Sequence, residues 1–239
     1  MITKFEFMKN HYYDFRRMPH VVVVGASGTG KSLLLSFFIL QLQKINSNFL
    51  IIDTKLGDLY QISKILNENG ALEDTEDIIN EIETIVDIMN KRQKIISKSN
   101  VIGIDFTDFN MTPIFLIIDE LNATVTLFDK KQRDRFYQLI TLIVLKGRSA
   151  GVQLIIGSQQ LNSQIFPTNL RDQISFRIFL ANSNSQITKI SRDMLFGNID
   201  NYPNKKDGFG GWYLLENESI GVQTFQSPEI KNISLSDFL

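Results

Sequence analysis

The sequence predicts an α/β fold with a mainly parallel central sheet, flanked by helices and followed by a C-terminal β-hairpin. Short apolar runs rich in β-branched residues recur along the chain, as in strands buried on both faces of a sheet. Amphipathic stretches of helical period separate these runs. Polar or acidic residues follow several of the runs directly, where a parallel sheet presents the edge that carries ligands. The runs lie at 21–24, 49–52, 114–118, 152–156 and 174–180.

A glycine-rich loop follows the first run and leads into an apolar helix that begins at about Lys31. The loop fits the pattern G-x-x-x-x-G-K-[ST] with the residues Gly25, Ala26, Ser27, Gly28, Thr29, Gly30, Lys31 and Ser32. Its glycines let several backbone N–H groups converge on an anion, and the helix directs its positive end to the same place. The pattern therefore predicts a cradle for nucleotide phosphates. Lys31 would reach the β- and γ-phosphates, and the Ser32 hydroxyl would ligate Mg²⁺.

Composition excludes several other classes of protein. The 239 residues are 43% hydrophobic and contain no cysteine, which rules out disulfides, thiolate zinc sites and a cysteine nucleophile. No apolar run approaches the roughly 20 residues that span a bilayer, so we expect a soluble, cytoplasmic chain. A net charge of −1 argues against a globally basic nucleic-acid binder. Contacts with nucleic acid would have to come from local clusters or from several copies around a strand.

The N-terminal segment, residues 1–17, is predicted to be a lead-in strand packed on the edge of the domain. It carries five aromatic residues: Phe5, Phe7, Tyr12, Tyr13 and Phe15. These favour burial in the core, with stacking on a base as the alternative. The two histidines, His11 and His20, have no carboxylate pattern around them, and we interpret both as structural.

Two helices and a strand are expected between the loop and the third apolar run. The first helix covers about 32–44, and the strand at 49–52 ends on Asp53. A long amphipathic helix over 73–99 follows, because isoleucines and a methionine recur on one stripe. The stripe consists of Ile78, Ile82, Ile85 and Met89. Residues 100–110 then read as a polar loop.

Two carboxylates, Asp119 and Glu120, terminate the apolar run at 114–118. A buried strand that ends in Asp-Glu, downstream of a phosphate cradle, is typical of domains that hydrolyse nucleotides. Asp119 would stand on the Mg²⁺ shell. Glu120 would act as the general base or position the attacking water.

A further helix is predicted at about 129–145, followed by a connecting segment at 146–151 and the strand at 152–156. Beyond that strand, Gln159 has an amide that can both donate to and accept from a γ-phosphate or a water; an ordinary strand-end glutamine is the alternative. The basic residues on the helix, Lys130, Lys131, Arg133 and Arg135, favour a solvated face over a phosphate track, because Asp129 and Asp134 lie among them.

Arg177 is a charge inside the apolar run at 174–180. It either pairs internally or points out of the subunit toward a neighbour's nucleotide. The last segment, about 205–225, reads as a β-hairpin that turns at 216–219.

Together these motifs resemble the FtsK/SpoIIIE family of DNA-pumping ATPases, in particular conjugation coupling proteins of integrative elements and plasmids, the TcpA-like group. The resemblance covers about residues 15–228. It rests on Arg17-Met18-Pro19-His20, the cradle, Ile52-Asp53-Thr54-Lys55, Ile118-Asp119-Glu120, Gly147-Arg148-Ser149-Ala150-Gly151, Gln159, the segment 170–177, Met194-Leu195-Phe196-Gly197 and the closing hairpin. Two positions depart from the family pattern: Thr54 replaces a proline, and Gln160 stands where arginine is frequent.

The resemblance implies a RecA-like P-loop NTPase motor domain at 20–230, with residues 1–19 as a lead-in and 231–239 as a tail. It implies a hexameric ring that hydrolyses ATP with Mg²⁺ between subunits and moves DNA through its pore. Arg177 or Arg148 would then act in trans on the γ-phosphate. A relaxase or membrane-channel protein would be a further partner, and such a partner or an anchor outside these residues would bring the chain to the inner face of the membrane.

Three other functions fit parts of the pattern. A protein-secretion or substrate-docking ATPase has the same fold and differs in what faces its pore. A nucleotide-binding scaffold with little turnover conflicts with Glu120, and a kinase for a small acceptor conflicts with the Asp-Glu strand end.

Overall fold

Nine strands and seven helices make up the part of the chain that the structure, a computed structural model, describes. That part comprises residues 1–8, 10–66, 71–161, 165–181, 186–197, 199, 202–203, 210–215 and 221–226. The strands are β1 (Lys4–Met8), β2 (His11–Asp14), β3 (Val21–Gly25), β4 (Asn48–Ile52), β5 (Ile114–Ile118), β6 (Val152–Ser158), β7 (Phe176–Leu180), β8 (Gly210–Leu215) and β9 (Gln223–Gln226). The helices are α1 (Lys31–Gln43), α2 (Asp58–Leu66), α3 (Thr75–Ile96), α4 (Leu121–Leu127), α5 (Lys130–Ala150), α6 (Thr168–Arg171) and α7 (Gln186–Phe196).

Seven strands pair into one sheet in the order β4-β5-β6-β3-β7-β8-β9. The first five in that order are parallel, and β8 and β9 extend the sheet as an antiparallel pair. This confirms the mainly parallel sheet and the C-terminal hairpin strands; the turn expected at 216–219 lies outside the described residues. Strand β3 is central, so the loop that follows it opens at the middle of the carboxyl edge.

Helices cover both faces of the sheet, and each face has its own apolar layer. On one face α3 and α5 pack beside each other, and the predicted stripe of α3 is fully or almost fully buried there. On the other face α1 and α2 lie together with the β1–β2 hairpin. Strands buried on both faces explain the unbroken apolar runs in the sequence.

The N-terminal segment corrects one expectation. It forms a separate antiparallel hairpin, β1–β2, instead of a single strand on the edge of the sheet. The hairpin lies over the face that carries α1, where Phe7 contacts Phe176 at a ring distance of 4.9 Å and Phe5 contacts Phe38 at 5.3 Å. Four of its five aromatic residues are buried, and Tyr12 is exposed. These four rings lie on the inner face, which confirms their expected role in the core, and Tyr12 is the exception.

Helix α5 is longer than the sequence predicts, because the segment 146–150 continues the helix. The helix starts with a capping box between Asp129 and Gln132 and ends at Gly151, which has a left-handed φ of 70°. Gly147 is helical and faces the next strand, where an added Cβ would lie 2.2 Å from the Val152 carbonyl oxygen. The glycine therefore marks a close contact between helix and strand, and the true helix stop is Gly151.

His20 is fully buried and connects the end of the N-terminal segment, helix α5 and strand β6. Its Nδ1 accepts the backbone N–H of Leu154 at 3.1 Å, so its Nε2 carries the proton and donates to the Val144 carbonyl at 3.1 Å. The amide of Gln153 completes the link by accepting from the His20 backbone N–H and donating to the Phe15 carbonyl. Burial lowers the pKa of His20 from 6.5 to about 4, and the bond to Val144 opposes that shift. The structural role expected for this histidine is confirmed.

Because His20 stays neutral in the fold but protonates in the unfolded chain, the free energy of unfolding should fall as the pH drops from about 6.5 to about 4. The loss attributable to His20 should be on the order of 3 kcal/mol. Urea unfolding of the wild type and of His20→Asn across this pH range measures it. Asparagine tolerates the left-handed φ of 64° at this position but does not titrate.

His11→Asn serves as the control, since it removes the other histidine. Equal pH slopes for the wild type and His20→Asn would contradict the assignment.

Candidate active site

The loop between β3 and α1 has the conformation that a phosphate cradle needs. Gly28 and Gly30 have left-handed φ values of 76° and 89°, and α1 begins at Lys31. The Thr29 hydroxyl closes the loop by donating to the Ala26 carbonyl at 2.8 Å. At Gly25 an added Cβ would lie 2.5 Å from that hydroxyl oxygen. The glycines are therefore required by backbone angle at two positions and by space at a third.

Lys31 and Ser32 converge on Asp119, at the end of β5. The Lys31 ammonium donates to the Asp119 carbonyl oxygen at 2.6 Å and lies 3.3 Å from its carboxylate oxygen Oδ1. The Ser32 hydroxyl donates to the same Oδ1 at 3.3 Å. Gly157 on β6 lets the backbone of Asp119 lie close to that strand, because a Cβ there would lie 2.0 Å from the Asp119 carbonyl oxygen. The structure thus brings together residues 87 and 88 positions apart, as the sequence predicts.

Glu120 is the next residue, and only 4% of it is exposed. Its Oε1 accepts the backbone N–H of Gln159 at 3.1 Å. Its Oε2 lies 3.7 Å from the Lys31 ammonium and 3.9 Å from the Lys55 ammonium. No described residue forms a hydrogen bond with this oxygen. Glu120 therefore presents one fixed oxygen and one oxygen with spare capacity to accept a proton or a hydrogen bond.

A cleft of about 410 Å³ lies over the cradle loop, and Lys31, Ser32, Asp119 and Gln159 are among the residues that line it. Gln159 is exposed just after the end of β6, and hydrogen bonds hold the backbone of this segment next to Glu120. The Gln160 carbonyl accepts from the Ser158 hydroxyl at 2.7 Å and from the Asn122 amide at 3.3 Å. Gln159 thus lines the cleft and contacts Glu120 through its backbone, and a role for its side-chain amide stays a prediction.

Asp53 and Lys55 enter the site without a role predicted from the sequence. Asp53 is buried and accepts three backbone N–H bonds, from Lys55 at 3.1 Å, Gly57 at 2.9 Å and Tyr60 at 3.0 Å. Burial raises the pKa of Asp53, as does the nearby charge of Asp119, and the three hydrogen bonds oppose the rise. Its carboxylate therefore organises the loop before α2. The sequence signal for Asp53 was an acidic residue directly after a strand. That signal does not show whether the carboxylate binds a ligand or backbone N–H groups.

The two candidate arginines occupy different settings, and one expectation is corrected. Arg177 is buried, and its guanidinium donates to the carbonyls of Ile174 at 2.9 Å and Leu195 at 3.3 Å. It therefore pairs internally and does not point out of the subunit. Arg148 is exposed near the end of α5, and its Nε donates to the Arg16 carbonyl at 3.3 Å. It precedes β6, at the opposite edge of the sheet from the cradle, so it cannot reach the nucleotide site of its own subunit.

The residues at the cleft fit a nucleotide with a hard divalent cation. The cradle has converging backbone donors, Lys31 supplies a buried cation, and the Ser32 and Asp119 oxygens lie side by side. The described residues contain no cluster of three or more potential metal-ligating carboxylates, histidines or cysteines. Mg²⁺ usually takes one or two protein ligands and completes its shell with phosphates and water, so the neighbouring oxygens of Ser32 and Asp119 fit it.

A phosphate cradle after the central strand of a mainly parallel sheet, with an Asp-Glu pair at the end of β5, defines a P-loop NTPase domain of the RecA-like type. The chain belongs to the FtsK/SpoIIIE family, whose model matches residues 3–192.

Two curated relatives show how much of a longer protein the chain matches. FtsK domain-containing protein YdcQ of Bacillus subtilis strain 168 is 25% identical over 96% of this chain and 52% of its own length. DNA translocase FtsK of Streptococcus pyogenes serotype M6 is 24% identical over 82% of this chain and 28% of its own length. The chain thus spans about half of YdcQ and less of FtsK.

Two solved structures share the fold. The pCW3 conjugation coupling protein TcpA, solved as a monomer form with ATPγS, has a TM-score of 0.76 and 18% identity, over 100% of this chain and 69% of that chain. The cytoplasmic domain of the Type VII secretion ATPase EccC from Thermomonospora curvata has a TM-score of 0.65 and 22% identity, over 91% of this chain and 27% of that chain. Separately, none of the helices in the described part of this chain is long and apolar enough to cross a membrane.

Proposed function

We propose that this chain is the motor domain of an ATP-driven DNA translocase that acts in conjugative transfer or segregation. The observation that carries the proposal is the convergence of Lys31, Ser32, Asp119 and Glu120 at the carboxyl edge of the sheet, where the cradle, Lys31, Ser32 and Asp119 line one cleft. Family membership and the name of the relative DNA translocase FtsK support DNA as the substrate. We assign the motor to residues 20–230, with residues 1–19 packed on it; the tail at 231–239 lies outside the described residues.

Each residue at the cleft has a defined task in this proposal. The cradle and Lys31 bind the phosphates of ATP, and Ser32 and Asp119 hold Mg²⁺, which neutralises charge on the transferring phosphate. Glu120 uses its Oε2, the oxygen without a hydrogen bond among the described residues, to take a proton from the attacking water. Gln159 donates from its side chain to the water or the γ-phosphate and, through its backbone, fixes the other oxygen of Glu120.

Assembly into a ring, a hexamer in this proposal, would complete the site. Arg148 lies on the far edge of the sheet, so a role in hydrolysis requires a neighbouring subunit's nucleotide. A ring also gathers the local basic clusters of several copies around one strand, which suits a chain whose net charge is −1. A relaxase or a membrane-channel protein would link such a ring to transfer.

We expect double-stranded DNA to stimulate ATP hydrolysis several-fold, with a rate that rises more steeply than linearly with protein concentration. The reason is that a site shared between subunits forms only on assembly. The stimulation should weaken at higher salt, because phosphate contacts release counterions. Steady-state hydrolysis with and without DNA, over a range of protein concentrations and at two salt concentrations, measures this. Lys31→Met provides the blank.

A rate of ATP hydrolysis that DNA does not change at any protein concentration would contradict the proposal. It would favour the second candidate, a protein-secretion or substrate-docking ATPase, which the structural likeness to EccC brings forward. A peptide substrate that stimulates hydrolysis would then distinguish this candidate from a motor that lacks its partners.

A further inference from the structure

The loop between β4 and α2 lines the phosphate cleft through Lys55 and Gly57, and its backbone has an unusual conformation. Leu56 has a left-handed φ of 54°, which is uncommon for a bulky residue, and its N–H donates to the Asp53 carbonyl at 3.2 Å. The three bonds from backbone N–H groups to the Asp53 carboxylate hold this tight turn in place. An unfavourable backbone conformation of this kind persists only where the surrounding contacts stabilise it. In this turn it places Lys55 among the residues that line the cleft.

Lys55 has an anchored backbone and a comparatively free ammonium group. Its N–H is fixed by Asp53, while 45% of its side chain is exposed. The ammonium lies 3.9 Å from Glu120 Oε2, which is an ion-pair distance but too long for a hydrogen bond. Lys31 differs, because it is buried and donates to the Asp119 carbonyl at 2.6 Å. Lys55 can therefore turn to another anion in the cleft at little cost.

The position of that anion follows from the neighbours of Lys55. It lines the same cleft as the cradle loop and Gln159. Its nearest charged oxygen belongs to Glu120, the residue that would activate water for attack on the terminal phosphate. Because the proposed function places the attacking water and the terminal phosphate beside Glu120, a cation 3.9 Å from Glu120 Oε2 lies next to that phosphate. Asp119 lines the cleft and Glu120 is buried next to it, so the negative charge of a triphosphate there requires nearby cations.

We propose that Lys55 binds the terminal phosphate of a nucleoside triphosphate and thereby distinguishes a triphosphate from a diphosphate. On binding, its ammonium leaves Glu120 for the phosphate, and Glu120 faces the water without that ion pair. The inference rests on the proposed function of the cleft, and it gives Lys55 a role separate from that of Lys31.

The test compares the affinities for ATPγS and ADP, measured by titration in the presence of Mg²⁺. Lys55→Gln should weaken ATPγS binding by about 10- to 100-fold, the loss expected for one charge-assisted contact, and change ADP binding by less than about 3-fold. Lys55→Arg keeps the positive charge and should retain most of the preference for ATPγS. Lys91→Gln, an exposed lysine on α3, is the matched control and should leave both affinities unchanged.

The outcomes separate this inference from the function on which it rests. If the wild type prefers ATPγS and Lys55→Gln keeps that preference, or loses both nucleotides equally, the role of Lys55 is wrong and the nucleotide site stands. If the wild type binds neither nucleotide, the proposed function fails and the role of Lys55 fails with it. Thermal unfolding of Lys55→Gln should match the wild type, since the lost ion pair is long and partly exposed.

Discussion

Replacing Glu120 by glutamine is expected to lower the rate of ATP hydrolysis by about 10²- to 10⁴-fold, the contribution typical of a general base. Glutamine keeps the size of the side chain and can still accept the Gln159 backbone N–H at the position of Oε1. It cannot take a proton from water. Single-turnover hydrolysis together with ATPγS titration measures the effect, and binding should persist while turnover is lost.

Glu81→Gln makes the same chemical change on the exposed face of α3 and should hydrolyse ATP at the wild-type rate. Glu120→Gln should still fold, because the buried Lys31 ammonium keeps its contacts with the carbonyl and carboxylate oxygens of Asp119 at 2.6 and 3.3 Å. Unchanged turnover in Glu120→Gln would show that another group activates the water.

Replacing Lys31 by methionine is expected to weaken ATPγS binding by about 100-fold or more, because the buried ammonium is the cation closest to the cradle. Methionine keeps the apolar stem, so the packing of α1 against the sheet should survive. The protein should nevertheless lose about 3 kcal/mol of stability, since Asp119 and Glu120 would stay buried with one cation fewer. Nucleotide titration and urea unfolding measure the two effects separately.

The double variant Lys31→Met with Glu120→Gln separates charge balance from ligand binding. Removing the carboxylate together with the cation should recover much of the lost stability without restoring nucleotide affinity. Wild-type affinity in Lys31→Met would remove the cradle from the proposed site. Recovery of affinity in the double variant would mean that Lys31 acts only by balancing Glu120.

The buried strands of the sheet show how much of the fold can be predicted from local sequence. Strands β3, β5 and β6 are buried on both sides, so their apolar runs are continuous and could be recognised one segment at a time. The cradle is likewise one contiguous stretch, with its glycines and lysine in a single recognisable pattern. Its conformation, the helix that begins at Lys31 and the Asp-Glu strand end were therefore predictable without knowledge of the rest of the fold.

Contacts between distant segments decided the remainder. The sequence identifies Arg177 as a charge in a strand but cannot say that the carbonyls of Ile174 and Leu195 lie within its reach. It predicts a connecting segment at 146–151, whereas Gly147 continues the helix at a point where the Val152 carbonyl leaves no room for a Cβ.

The sequence by itself determined the class of fold, the phosphate cradle and the acidic pair, because each is encoded by neighbouring residues and by hydrophobic period. Only the tertiary structure decided that β1 and β2 form their own hairpin, that the Asp53 carboxylate accepts backbone N–H groups and that Lys55 lies beside Glu120. Those outcomes depend on which atoms the sheet order brings within a few ångströms of each other, and spacing along the chain carries no record of such distances.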